Sequence, residues 1–233
     1  MGDSVIETVL ITGANRGLGL ALTEKFASSG WKVHALCRAP EQADALKQLA
    51  QAHDVHIRQF DVTDPQDIRR LSADLAGETL DVVINNAGIL DHNRTDPYGV
   101  DHDEWTQIMA VNSIAPVEIA LAMKPHLARS ANPRIVTVSS QMGALALNQT
   151  GAIAYRASKA AVNKAMQVLA NEFASEGIIV VPIHPGWVQT DMGGAEAAIT
   201  PEQSADGIFA LTTGLTNAMS GRFWTWDGAE HPW

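Results

Sequence analysis

Tyr155 and Lys159 stand one helical turn apart in the stretch Tyr155-Arg156-Ala157-Ser158-Lys159. On a helix that spacing puts both side chains on one face, a phenol beside an ammonium. Unperturbed, the phenol titrates near pH ~10 and the ammonium near ~10.4. A positive neighbour favours phenolate and draws the phenol's pKa toward neutrality; each unit is worth about 1.36 kcal/mol. A phenol tuned in this way gives or takes a proton at physiological pH. The same spacing also suits an ordinary solvated helix face, so the chemistry depends on what the rest of the chain brings to the pair.

The elements that must position them read as a regular alternation. β-branched and apolar runs at 5–12, 31–37, 55–60, 80–84, 134–139 and 178–183, and an aromatic run at 222–226, predict seven strands. Between them, apolar residues at helical spacing predict helices over 17–29, 40–52, most of 102–130 and 151–176, the last carrying the opening pair. Pro116 is expected to break or restart the helix it falls in. Asp64-Pro65 predicts a capped helix start, and Thr200-Pro201-Glu202-Gln203 a capping box. Strands alternating with helices imply an α/β fold: a doubly wound, seven-stranded parallel sheet covered on both faces. No repeat, linker or low-complexity segment divides the chain, so residues 1–233 are expected to form a single domain.

Composition narrows the function. The formal net charge of -10 repels nucleic acid and anionic membrane surfaces. No apolar run approaches the ~18 residues of a membrane helix, and the acidic start Met1-Gly2-Asp3-Ser4 lacks the features of a signal peptide. Cys37 is the only cysteine, which excludes an intrachain disulfide and fits a reducing cytoplasm. His53, His56, His92, His102 and His126 are too dispersed to suggest a metal site; surface or packing roles are expected, and a structural role for His184.

The turn Thr12-Gly13-Ala14-Asn15-Arg16-Gly17-Leu18-Gly19 joins the first strand to the first helix. Glycines there let the backbone approach a pyrophosphate, which the free N–H groups of the helix start bind. The second strand ends in Cys37-Arg38, with no carboxylate for a ribose 2′-hydroxyl. Arg38, with Arg16 from the glycine turn, suits a 2′-phosphate, so NADP is expected over NAD; two solvated surface arginines are the alternative. Asp61 and Val62 follow the third strand, where the carboxylate suits an adenine amino group and Val62 offers a backbone N–H; a helix cap is the competing role for Asp61.

With Asn85-Asn86-Ala87-Gly88, Asn112, Ser139-Ser140, Tyr155 to Lys159 and Pro185-Gly186 in this order, the chain resembles the short-chain dehydrogenase/reductase family over essentially its whole length. His184-Pro185-Gly186-Trp187-Val188 and Thr190-Asp191-Met192-Gly193-Gly194 resemble the carbonyl reductases similar to sniffer and to the C-factor signalling protein. The resemblance implies hydride transfer between NADP(H) and a small carbonyl or secondary alcohol. It implies that Tyr155 is the acid/base, that Lys159 binds the nicotinamide ribose and lowers the Tyr pKa, and that Ser140, with Ser139 as the alternative, holds the substrate oxygen. Asn112 would hold a relay water. Asn85, Ala87 and Gly88 would back the ribose, and Pro185, Gly186, Val188 and Thr190 would touch the nicotinamide amide. A regulatory protein of C-factor type, with incidental catalysis, is the other reading.

The separation of Ser140 from Tyr155 is slightly longer than is commonest in the family, which places extra loop within 141–150. The substrate is expected between 90–100, 141–150 and 187–199, against Ala144, Leu145, Leu147, Trp187 and Met192, with core packing as the other role for these residues. Trp224, Trp226 and Trp233 would line a subunit contact or finish the core. The resemblance also implies a homodimer or homotetramer pairing through the 151–176 helix.

Overall fold

The computed structural model describes residues 6–91 and 101–233. The β-branched runs form β1 (Thr8–Thr12), β2 (Lys32–Cys37), β3 (Val55–Gln59), β4 (Val82–Asn85), β5 (Arg134–Val138), β6 (Ile179–His184) and β7 (Trp224–Thr225). They make one sheet in the order β3-β2-β1-β4-β5-β6-β7, every neighbouring pair parallel. The helices are α1 (Gly17–Ser28), α2 (Asp44–Ala52), α3 (Pro65–Asp74), α4 (His102–Met109), α5 (Ala115–Leu127), α6 (Ile153–Glu172) and α7 (Pro201–Gly214).

Successive strand residues face opposite sides of a sheet. Val9 and Ile11 accordingly pack with Leu22 and Phe26 of α1 and Ile208 of α7, whereas Leu10 packs with Leu71 of α3, Met123 of α5 and Met166 of α6. Each such fully buried side chain contributes about 1.5–3 kcal/mol. Phe26 meets Trp31 and Phe209 edge to face at 5.1 and 4.9 Å, fastening α1 to α7. Both expected caps form: Asp64 accepts from Gln66 N, and Thr200 and Gln203 cap each other's backbone.

Several elements depart from the sequence expectation. The 40–52 helix is split into a tight turn, Pro40–Gln42, and α2, because Ala43 leaves helical geometry and is buried. The 151–176 helix is shortened at both ends: Gly151 (φ 80°) and Ala152 (φ 49°) are left-handed, and beyond Glu172 only a separate tight turn, Ala174–Glu176, follows. The seventh strand keeps two residues, since the tail turns back: His231 N donates to Phe223 O, and Trp224 bridges Glu230 antiparallel. Val5 of the first strand lies outside the described residues, as does His92.

α4 and α5 are joined by a π turn, Ala110–Ile114, with Pro116 restarting the regular helix. The continuous helix His102–Leu127, 26 residues, has the length and composition of a membrane-crossing segment, contrary to the reading that no run approaches it. Its buried residues Ile119, Met123 and Leu127 pack on the sheet and on α6, as those of a core helix do.

Toward the amino ends of the strands lies a charged cluster. His34 is fully buried; its Nε2 faces Glu78 Oε2 at 3.1 Å, and Arg58 Nε donates to its Nδ1 at 3.3 Å, while Lys32 also pairs with Glu78. Arg58 thus selects the tautomer with the proton on Nε2. Burial, above all, pushes the His34 pKa down to about 4 from 6.5. The unfolded chain therefore binds a proton before the folded chain does. The stability present above pH ~6.5 is lost as pH falls toward ~4, by an amount of about 3 kcal/mol. We expect the urea midpoint to fall across that window, and the dependence to flatten in His34→Gln, whose amide can keep both bonds. An equally steep profile in that variant would show that His34 is not its source.

Candidate active site

The strand order reverses between β1 and β4, and an open α/β sheet binds ligands outside the carboxyl ends of its strands at such a point. A cleft of about 1570 Å³ lies there. Gly13, Asn15, Arg16, Gly17, Leu18 and Gly19 form one wall. Gly19 packs so closely that a Cβ would lie 2.1 Å from Gly13 O. Asn86 fastens the turn, its Nδ2 donating to Thr12 O at 2.9 Å and Gly13 O at 3.2 Å. Thr12 Oγ1 in return accepts from the N–H groups of Asn86 and Ala87.

Arg38, Asp61 and Val62 line the outer end of the cleft, with Ala87 and Gly88 in its middle. Asp61 Oδ1 accepts from Thr63 N and Oγ1, and Asp64, not Asp61, caps α3. Arg16 lines the same cleft as Arg38, and its guanidinium pairs with Asp191 at 2.8 Å. Both partners are largely exposed, so the pair holds the arginine by no more than about 1 kcal/mol.

At the inner end Ser140, Tyr155 and Lys159 come together with Pro185, Gly186, Val188 and Thr190. Lys159 is buried, its Nζ donates to Val138 O at 2.8 Å, and it stands 5.6 Å from the Tyr155 ring centroid. Burial lowers its pKa to about 8, which keeps it mainly protonated at neutral pH. The two serines are distinguished by their bonds. Ser139 Oγ donates to Asn163 Oδ1 at 2.6 Å. Ser140 Oγ accepts from Met142 N at 3.1 Å, which leaves its own proton to give. A buried hydroxyl and a phenol at one mouth can stabilise and protonate a developing alkoxide.

Two expected placements change. Asn85 does not reach the cleft. As the last residue of β4 it points into the layer below, donating to Pro116 O and Thr137 Oγ1; strand parity gives the cleft to its neighbour Asn86. The Asn112 side chain is occupied by protein: it accepts from Ile89 N and donates to Ile89 O and Ser158 Oγ, so a water there would need its backbone instead. Of the expected substrate wall, Trp187 and Met192 line the cleft, whereas Ala144, Leu145 and Leu147 do not. Ala144 is buried and Leu145 is 88% exposed. Residues 92–100 lie outside the described residues. Trp224 and Trp226 pack against the core, and Trp233 stacks on Phe223 at 5.8 Å.

α6 starts without a side-chain cap of its own, on Ala152. Asp91 supplies one from the loop after β4, its Oδ1 accepting from Tyr155 N at 3.1 Å. The sequence carries no local sign of this bond, because the partners are far apart along the chain.

The profile of the short chain dehydrogenase family matches residues 7–199. The chain belongs to that family. Among solved structures, this short chain dehydrogenase is similar to the carbonyl reductase Sniffer of D. melanogaster, with TM-score 0.93 and 31% identity over 98% of this chain and 100% of the other. It is also similar to the NADPH-bound carbonyl reductase from chicken fatty liver, with TM-score 0.90 and 34% identity over 98% and 99%. The C-signal protein of Myxococcus xanthus is 38% identical over 168 residues, 71% of this chain and 100% of the relative.

Proposed function

We propose that this short chain dehydrogenase is an NADPH-dependent carbonyl reductase, working between NADP(H) and a small ketone, aldehyde or secondary alcohol. The observation that carries the reading is the meeting of Tyr155, Lys159 and Ser140 at the inner end of the cleft that the glycine turn opens. The residues fit the cofactor: Gly13, Gly17 and Gly19 leave room where a Cβ would intrude, and Arg38 stands exposed at the end of β2 for a 2′-phosphate. When bound, the nicotinamide supplies the hydride.

The protein's part is binding and proton transfer. Ser140 donates to the substrate oxygen, and Tyr155 delivers the proton that oxygen needs. Lys159 stabilises the negative charge left on the phenol and uses its remaining N–H bonds to orient a ribose. Val188 and Thr190 hold the amide side, with Pro185 and Gly186 behind them. Asn112, through its backbone, is the station for a water leading protons from Lys159 outward. Residues 1–233 act as one binding and catalytic domain.

A panel of aldehydes, ketones and quinones, followed by NADPH absorbance, tests the reading; no oxidation by any of them would overturn it. Arg38→Ala should weaken NADPH binding while leaving NADH nearly untouched. The loss of a charge-assisted bidentate contact is worth about 1.5–3 kcal/mol, or roughly tenfold to a hundredfold in the NADPH/NADH ratio. An unchanged ratio would remove Arg38 from cofactor selection.

The similarity to C-signal favours a second reading, a cofactor-binding regulatory protein whose catalysis is incidental. It is the better one if a Tyr155→Phe strain keeps the wild-type phenotype. The buried thiol of Cys37 supports a cytoplasmic home, and exposed Ile114, Leu121 and Val168 on the α5 and α6 side support a homodimer or homotetramer. Light scattering of the purified protein tests the latter.

A further inference from the structure

The loop from β5 to α6 gives the cleft Met142, Gln149, Thr150, Gly151 and Ala152. Beyond one tight turn, Gln141–Gly143, it has no regular structure. Its apex is not held by apolar burial, since Leu145 is 88% exposed. Polar bonds hold it instead, and four of them converge on one side chain. Arg156 Nε donates to Gly151 O at 2.8 Å. One terminal nitrogen donates to Gln149 Oε1 at 3.0 Å and Thr150 O at 3.3 Å, and the other to Met142 O at 3.4 Å. A single half-buried guanidinium thus ties both ends of the loop together, and it does so from the residue after Tyr155. A second tether, Ala146 N to Trp233 O at 2.8 Å, holds the middle.

We propose that Arg156 is a positioning residue that sets the cleft wall formed by Met142 and residues 149–152 against Tyr155 and so selects carbonyls by size. This rests on the carbonyl-reductase reading for the selection, and on the hydrogen bonds alone for the wall. Lysine is no substitute, because one ammonium lacks the planar fork that serves four acceptors. The proposal also gives a task to the lengthened loop: a longer segment ordered by one guanidinium can be reshaped without disturbing the sheet.

Hydrogen exchange followed by mass spectrometry on wild type, Arg156→Gln, Arg156→Lys and Gln149→Ala tests it, alongside turnover of propanal and 1-acetonaphthone. The amides of Gly143, Ala144, Ala146, Leu147 and Gln149, bonded within the loop or to Trp233, should exchange roughly tenfold faster in Arg156→Gln, with the second half of α6 unchanged. Arg156→Lys should be intermediate, and Gln149→Ala should show a smaller rise. NADPH affinity should stay at the wild-type value. The kcat/KM ratio of the small to the bulky carbonyl should move roughly tenfold, mostly through KM. Unchanged loop exchange would overturn the proposal, as would a loosened loop with an unchanged ratio. Should Arg156→Gln not fold, Arg156→Lys and Gln149→Ala decide the same comparison. A wild-type enzyme inactive on every carbonyl would sink the reductase reading, while the exchange data would still decide what Arg156 does to the wall.

Discussion

Tyr155→Phe should lower kcat for carbonyl reduction by roughly 10²–10⁴, the usual worth of a positioned general acid, equivalent to about 3–5 kcal/mol of barrier. The phenol is buried beside Lys159 at the inner end of the cleft, and removing one oxygen leaves the ring's packing intact. Ser140 would still donate to the substrate oxygen, so some rate over solution should survive. NADPH binding should change little, because the glycine turn and Arg38 lie elsewhere in the cleft. Strongly slowed NADPH consumption with retained NADPH titration is the expected pair of results. Full turnover in the variant would mean that another group delivers the proton.

Gly19→Ala should lower activity by a different route, through weakened cofactor binding. The new methyl would lie 2.1 Å from Gly13 O and 2.6 Å from Asn86 Nδ2. Neither neighbour can yield alone, since Asn86 is hydrogen-bonded to that carbonyl and to Thr12 O. The turn must open, at about 1–3 kcal/mol for forced overpacking. Because the turn and the helix start together are the proposed phosphate cradle, NADPH affinity should fall by at least roughly a hundredfold. Calorimetric titration and a thermal melt check the two effects. Wild-type affinity in this variant would show that the cradle lies elsewhere.

Much of the architecture was legible because its signals are local. Parallel strands buried on both faces read as apolar runs, and Asp64 and Thr200 announce their helices through side chains that bond within three residues. What escaped depends on parity or distance. Asn85 and Asn86 are adjacent and chemically identical, yet the pleat sends one below the sheet and the other to the cleft. Leu145 is apolar but exposed, since the tethers of its loop are polar and come from Arg156 and Trp233. Arg16 reads as a partner for Arg38, but Asp191, far along the chain, competes for it.

The borrowed cap on α6 bears on when the protein becomes competent. Asp91 and Tyr155 are 64 positions apart, and joining distant segments costs more closure entropy than finishing a turn locally. The Tyr155 amide would thus be capped only after the local turns of the chain have closed. Loss of that carboxylate should leave the folding rate nearly unchanged and hasten unfolding, so one bond at the head of α6 also guards how long the folded protein endures.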